Sequence, residues 1–137
     1  MEGFRKLAMS LVGQPSLLTL RINGMLIGED EVAILKQLFG HPLCDIKNLE
    51  MEELEVVEGQ SNDVIETVSL LKRLYTFDFS NNNLTQKMTE SIVKMLSKYE
   101  MLEILCFDHC DMTDSICKYV FHSIVNTKLQ FVNLSWN

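Results

Sequence analysis

At 137 residues, with 47% hydrophobic and 23% charged residues, the chain is long enough for one domain with a real core. Nineteen Asp and Glu against twelve Lys and Arg give a net charge of −7, which argues against a general binder of nucleic-acid backbones and favours a partner with a basic surface. No apolar run is long enough to span a bilayer, and Leu7 to Val12 is too brief an apolar stretch for a secretory signal. Four irregularly spaced cysteines, Cys44, Cys106, Cys110 and Cys117, do not form a small-disulfide framework. They suit reduced thiols in a cytoplasmic, or alternatively nuclear, protein.

In chain order, Met1 to Val12 reads as a helix with Phe4, Leu7, Ala8 and Leu11 on one face. Then a pattern begins that returns along the rest of the chain. The clearest copy starts at Leu74, with apolar residues at relative positions 1, 4, 6 and 11 (Leu74, Phe77, Phe79, Leu84) and Asn82 at position 9. Leu17, Leu20, Ile22, Met25 and Ile27 form the first copy, and Ile46, Leu49, Met51, Leu54 and Val56 the second. Leu102, Leu105, Phe107, Cys110 and Met112 form the fourth, and Leu129, Val132, Leu134 and Asn137 the fifth, with successive starts almost evenly spaced. We therefore divide residues 1–137 into one domain of about five strand units starting near Leu17, Ile46, Leu74, Leu102 and Leu129.

Within each unit, positions 4 and 6 alternate with polar residues, the period-two pattern of a short strand. A helical spacing follows about a dozen residues later: Val32, Leu35, Leu38 and Phe39; Met88, Ile92, Met95 and Leu96; Ile116, Val120 and Ile124. The second helix is fainter, with Val64, Val68 and Leu71 after a polar loop over 58–63. Thr85 and Thr113 stand where helix N-caps belong, and Gly40 and Pro42 stand where the first repeat helix should stop. Strand then helix, repeated, implies parallel strands on an inner concave face and helices on an outer convex one.

The motif Leu-x-x-Leu-x-Leu-x-x-Asn/Cys-x-Leu at a 28–29-residue period resembles the ribonuclease-inhibitor-like class of leucine-rich repeats, over about Leu17 to Asn137. The resemblance implies an α/β fold, a leucine-rich-repeat solenoid curved as a right-handed βα superhelix. It also implies a non-enzymatic role in protein binding, with no cofactor. The class also holds GTPase-activating and immune-sensor members, so a regulatory repeat segment of either kind is an alternative. Two departures stand out: Met25 and Leu54 occupy position 9, where a polar side chain normally turns inward to bond loop backbone, so those two loops should be less regular. The chain also stops at Asn137 within a unit, which suggests a truncated, uncapped segment of something longer. Its last strand would then offer an open edge for docking or self-association.

Positions 3, 5, 7 and 8 of each unit should face the concave side. They place Glu50, Glu52, Glu53, Asp78 and Asp108 as an acidic belt across three strands, with His109, Phe131 and Trp136 beside it. Ser80 belongs to the same set of outward positions. Cys106, Asp108, His109 and Cys110 crowd together, but strand alternation points Cys106 and Asp108 outward and Cys110 inward, which argues against a metal site. No nucleophile, base and oxyanion group assemble in the sequence.

Overall fold

Each strand unit is too short to be stable alone, so its main chain must pair with the next unit. The computed structural model describes residues 2–137. Five three-residue strands form one parallel sheet: β1 (Thr19–Arg21), β3 (Asn48–Glu50), β5 (Thr76–Asp78), β6 (Ile104–Cys106) and β7 (Phe131–Asn133), side by side in that order. Position 4 of each unit lies opposite position 4 of the next, in the row Leu20, Leu49, Phe77, Leu105, Val132. The inner members of that row are fully buried, and they share one core with the apolar stripes of the helices. Phe77 is central, 5.9 Å from Phe79 and edge-on to Phe107 at 6.2 Å between ring centroids.

The helix α1 (Glu2–Leu11) precedes the first strand, and α2 (Glu29–Phe39), α3 (Ser61–Val68), α4 (Gln86–Leu96) and α5 (Asp114–Ile124) run between strands, each helix packed against the next. This α/β arrangement, with a parallel sheet and helices, is compatible with a leucine-rich-repeat-like fold. Thr85 and Thr113 cap α4 and α5, their hydroxyls accepting from the N–H groups of Met88 and Ile116. At the start of α2 the Glu31 carboxylate reaches back to the Gly28 N–H at 3.1 Å. Gly40 ends α2 in a right-handed conformation, φ −78°. Its necessity is one of space, since a Cβ there would meet the Lys36 carbonyl at 2.8 Å.

Three sequence expectations need correction. Leu7 does not join Phe4, Ala8 and Leu11 on the buried face; it is 59% exposed, because α1 is an outer helix covered chiefly by α2. Met1, the first residue of that expected helix, lies outside the described residues. The loop expected over 58–63 is shorter, since α3 begins at Ser61, and Leu71 is buried although it lies beyond the end of α3. The loops carrying Met25 and Leu54 are not irregular.

Position 9 explains that last result. Asn82 donates through Nδ2 to the carbonyls of Met51 (2.7 Å), Phe79 (2.7 Å) and Ser80 (3.1 Å), and its Oδ1 accepts from the Leu54 N–H (2.8 Å). Asn137 repeats the pattern on the Phe107, Leu134 and Ser135 carbonyls and the Cys110 and Met112 N–H groups. Each of these two asparagines thus closes the turn of its own unit and serves the main chain of the unit before it. Cys110 reaches the Phe79 carbonyl through its thiol at 3.4 Å, a weaker version of the same contact. Leu54 can make no such bond to the first unit. There a second parallel ladder, β2 (Leu26–Ile27) with β4 (Glu55–Val56), joins the two loops, extended by the Glu55 N–H to Met25 O and the Val57 N–H to Ile27 O. Main-chain pairing replaces the missing side-chain donor.

Two substitutions measure these terms. Phe79→Ala should cost about 3–5 kcal/mol through the cavity it leaves. Asn82→Ala should cost about 2–4 kcal/mol, because buried carbonyls and the Leu54 N–H lose their partner. Urea denaturation reads both; a loss under about 1 kcal/mol in either would contradict the assigned register.

Candidate functional site

The side of the sheet away from the helices is built from alternate strand positions. Position 5 aligns Arg21, Glu50, Asp78, Cys106 and Asn133 across neighbouring strands. Beyond the strand ends, position 7 carries Asn23, Glu52, Ser80, Asp108 and Ser135, and position 8 carries Gly24, Glu53, Asn81, His109 and Trp136. Main-chain bonds extend the pairing that far, from the Gly24 N–H to Glu52 O, Asn81 N–H to Asp108 O and His109 N–H to Ser135 O.

Position 8 has a conformational signature in all five units. Gly24, Glu53, Asn81, His109 and Trp136 all take positive φ, between 50° and 66°. The chain turns there from the strand toward the inward position 9, and only glycine or asparagine enters that region readily. Gly24 and Asn81 fit the requirement, whereas Glu53, His109 and Trp136 hold it at a cost.

The structure brings Glu50, Glu52 and Asp78 together. The Glu52 carboxyl is held above its ordinary range, first by partial burial, then by the charges of Asp78 and Glu50; a hydrogen bond with Asn81 works against this and Glu53 adds to it. Cys106 stands beside them. Burial first, then the Asp78, Glu52 and Asp108 carboxylates and a hydrogen bond to Asp78, push its thiol up to about 11. It is therefore protonated at neutral pH and a poor nucleophile.

The belt is not uniform. At its β1 side Arg21 pairs with Glu50 at 2.8 Å, and Asn23 and Glu52 exchange two hydrogen bonds. Arg21 and Asn23 fall at outward positions 5 and 7 of the first unit, but sequence reasoning missed these pairings. Each pair is separated by one full repeat, the offset between the first two units, and that shared offset is the signal that could have found them. Glu53 is exposed at its turn, apart from the strand row. Ser80, expected on the open face, is buried, its hydroxyl accepting from the Asp108 N–H at 3.1 Å. Ser80 therefore separates Glu52 from Asp108 along the position-7 row.

Asp108 belongs with the aromatic end of the face. Its Oδ1 is buried and lies 3.2 Å from His109 Nδ1, yet accepts no hydrogen bond among the described residues. The His109 ring stacks on the Trp136 indole, 5.6 Å between centroids and 20° from parallel. Trp136 is 78% exposed and Phe131, on β7, 53% exposed. Cys110 is buried at its inward position, and burial pushes its thiol up to about 11 despite a bond from the Asn82 main chain. No group of three or more metal-binding side chains occurs among the described residues, and none of their helices is long and apolar enough to cross a membrane.

No family model matches the chain. It is similar to human NACHT, LRR and PYD domains-containing protein 14, with 23% identity over 128 residues. That match covers 93% of this chain and 12% of the relative's length. The similarity gives weak support to a relationship of the leucine-rich-repeat type.

The raised Glu52 pKa has a defined sign. A carboxyl that ionises less readily when folded lowers stability as pH rises from its unfolded value through its folded one. Glu52→Gln should therefore raise the urea midpoint at pH 7.5, and the gain should shrink as pH falls toward 4.5, the ordinary carboxyl value. A gain that stays constant with pH would show that Glu52 does not feel its neighbours' charge.

Proposed function

We propose that the chain is a non-enzymatic protein-interaction segment, a leucine-rich-repeat solenoid of the ribonuclease-inhibitor-like class with the sheet on its concave side. It docks a protein with a basic surface on that side, through the Glu50–Glu52–Asp78 cluster and the flanking Asp108, His109, Phe131 and Trp136. The carrying observation is the cluster of Glu50 and Asp78, paired on adjacent strands, with Glu52 just beyond the end of β3, where partial burial and then the charges of Asp78 and Glu50 raise its pKa. Like charges held together this way store repulsion that a cationic partner relieves. The similarity to a protein named for its LRR domain supports an interaction or regulatory role within a longer chain.

The double substitution Glu52→Lys with Asp78→Lys should reduce partner capture by at least about tenfold. It does so by replacing two attractive sites with repulsive ones, worth a few kcal/mol in total. Affinity capture with mass spectrometry, run with the parent and the double variant, reads this directly. Binding of a basic partner should also tighten as pH rises through the elevated Glu52 pKa, and weaken with added salt. An unchanged set of captured proteins after the charge swap would exclude the acidic face as the docking surface.

A further inference from the structure

The stacked pair of His109 and Trp136 lies outside the core cluster. Position 8 of each unit requires a left-handed backbone, which Gly24 supplies freely. An indole at this position is disfavoured, and Trp136 buries little of its area in return, being 78% exposed. The imidazole of His109 supports one side of the indole, 5.6 Å away and nearly parallel, and so limits how the ring can turn. Register and contact place carboxylates on this part of the face. Asp108 is partly exposed, with its Oδ1 buried, 3.2 Å from the imidazole and without a hydrogen bond among the described residues. Asp78 and Glu52 lie farther across the face, while Arg21, the cation among the aligned position-5 residues, is paired with Glu50 at the opposite edge.

Resting on the interaction reading above, we infer that this aromatic pair receives an arginine side chain from an extended basic segment of the protein partner. Charge complementarity selects a cation, and the flat, exposed indole selects among cations. A guanidinium is planar and weakly hydrated, so it stacks on an aromatic face while its N–H groups donate to carboxylates. A lysine ammonium is a strongly hydrated point charge and gains less from the ring. Neighbouring strands are only about 4.8 Å apart, so successive basic side chains of one segment can reach Asp108, Asp78 and Glu52 in turn.

Trp136 is the one tryptophan in the sequence, so its fluorescence reports this location alone. The whole chain is titrated with nona-arginine and nona-lysine at the same ionic strength, following tryptophan emission and the anisotropy of labelled peptide. Nona-arginine should bind about fivefold more tightly than nona-lysine and change Trp136 emission saturably. Trp136→Gly, which installs the residue of the first unit, should abolish that preference without lowering the thermal midpoint. Equal affinity for the two peptides, lost on Glu52→Lys with Asp78→Lys, would overturn the arginine inference and leave the acidic-face reading intact. An arginine preference that survives Trp136→Gly would also overturn it, as would failure of nona-arginine to bind.

Discussion

A strand of three residues has too few hydrogen bonds and too little apolar area to hold its own shape, and that shortage governs the architecture. Each unit is completed by the next one. Asn82 shows the mechanism most clearly, because one amide closes its own turn and also serves the Met51 carbonyl and the Leu54 N–H of the preceding unit. The buried position-4 row gives the apolar half of the same dependence, with Phe77 packed against its own unit's Phe79 and the following unit's Phe107. Disruption at one interface should therefore spread to its neighbours, since contacts lie between adjacent elements.

The same constraint decides what could be read from the sequence. Inward positions were legible because they repeat in kind: Leu49, Phe77 and Leu105 each fill the slot between helix and strand. Cap residues were legible because Thr85 and Thr113 perform a local task, set by the few residues that follow. Leu7 was misread because a helical pattern shows which residues could be covered, and only neighbouring elements decide how wide an arc is covered. The loops of Met25 and Leu54 were misread for a related reason. A missing side-chain donor is visible in the sequence, but its replacement by a main-chain ladder depends on the paths of two loops a full repeat apart.

At the candidate site, face membership was more legible than pairing. Alternation placed Glu50, Glu52 and Asp78 outward, yet which carboxylates share a field depends on register and on what stands between them. Ser80 is the instructive case: it turns into the structure to accept from the Asp108 main chain, and so splits a belt that looks continuous in sequence. Arg21 alters the balance again by pairing with Glu50, which leaves Glu52 and Asp78 as the part of the cluster without a guanidinium partner among the ion pairs of the described residues.

Position 8 joins these threads, because there the demands of fold and surface conflict. The turn asks for glycine or asparagine so that the chain can swing position 9 inward, and the bond network of Asn82 and Asn137 depends on that swing. Units with Gly24 or Asn81 meet the demand at little conformational cost. Those with Glu53, His109 and Trp136 meet it against their intrinsic preference, and the three side chains so placed are a carboxylate and two stacked aromatic rings, all exposed. A residue that breaks a local rule without gaining burial must be held by its surroundings, here the main-chain bonds from Glu53 and His109 to the next turn and, beside Trp136, the side-chain bonds of Asn137. The ladder that makes short strands stable thus also supplies the rigidity that lets costly side chains stand at the turns.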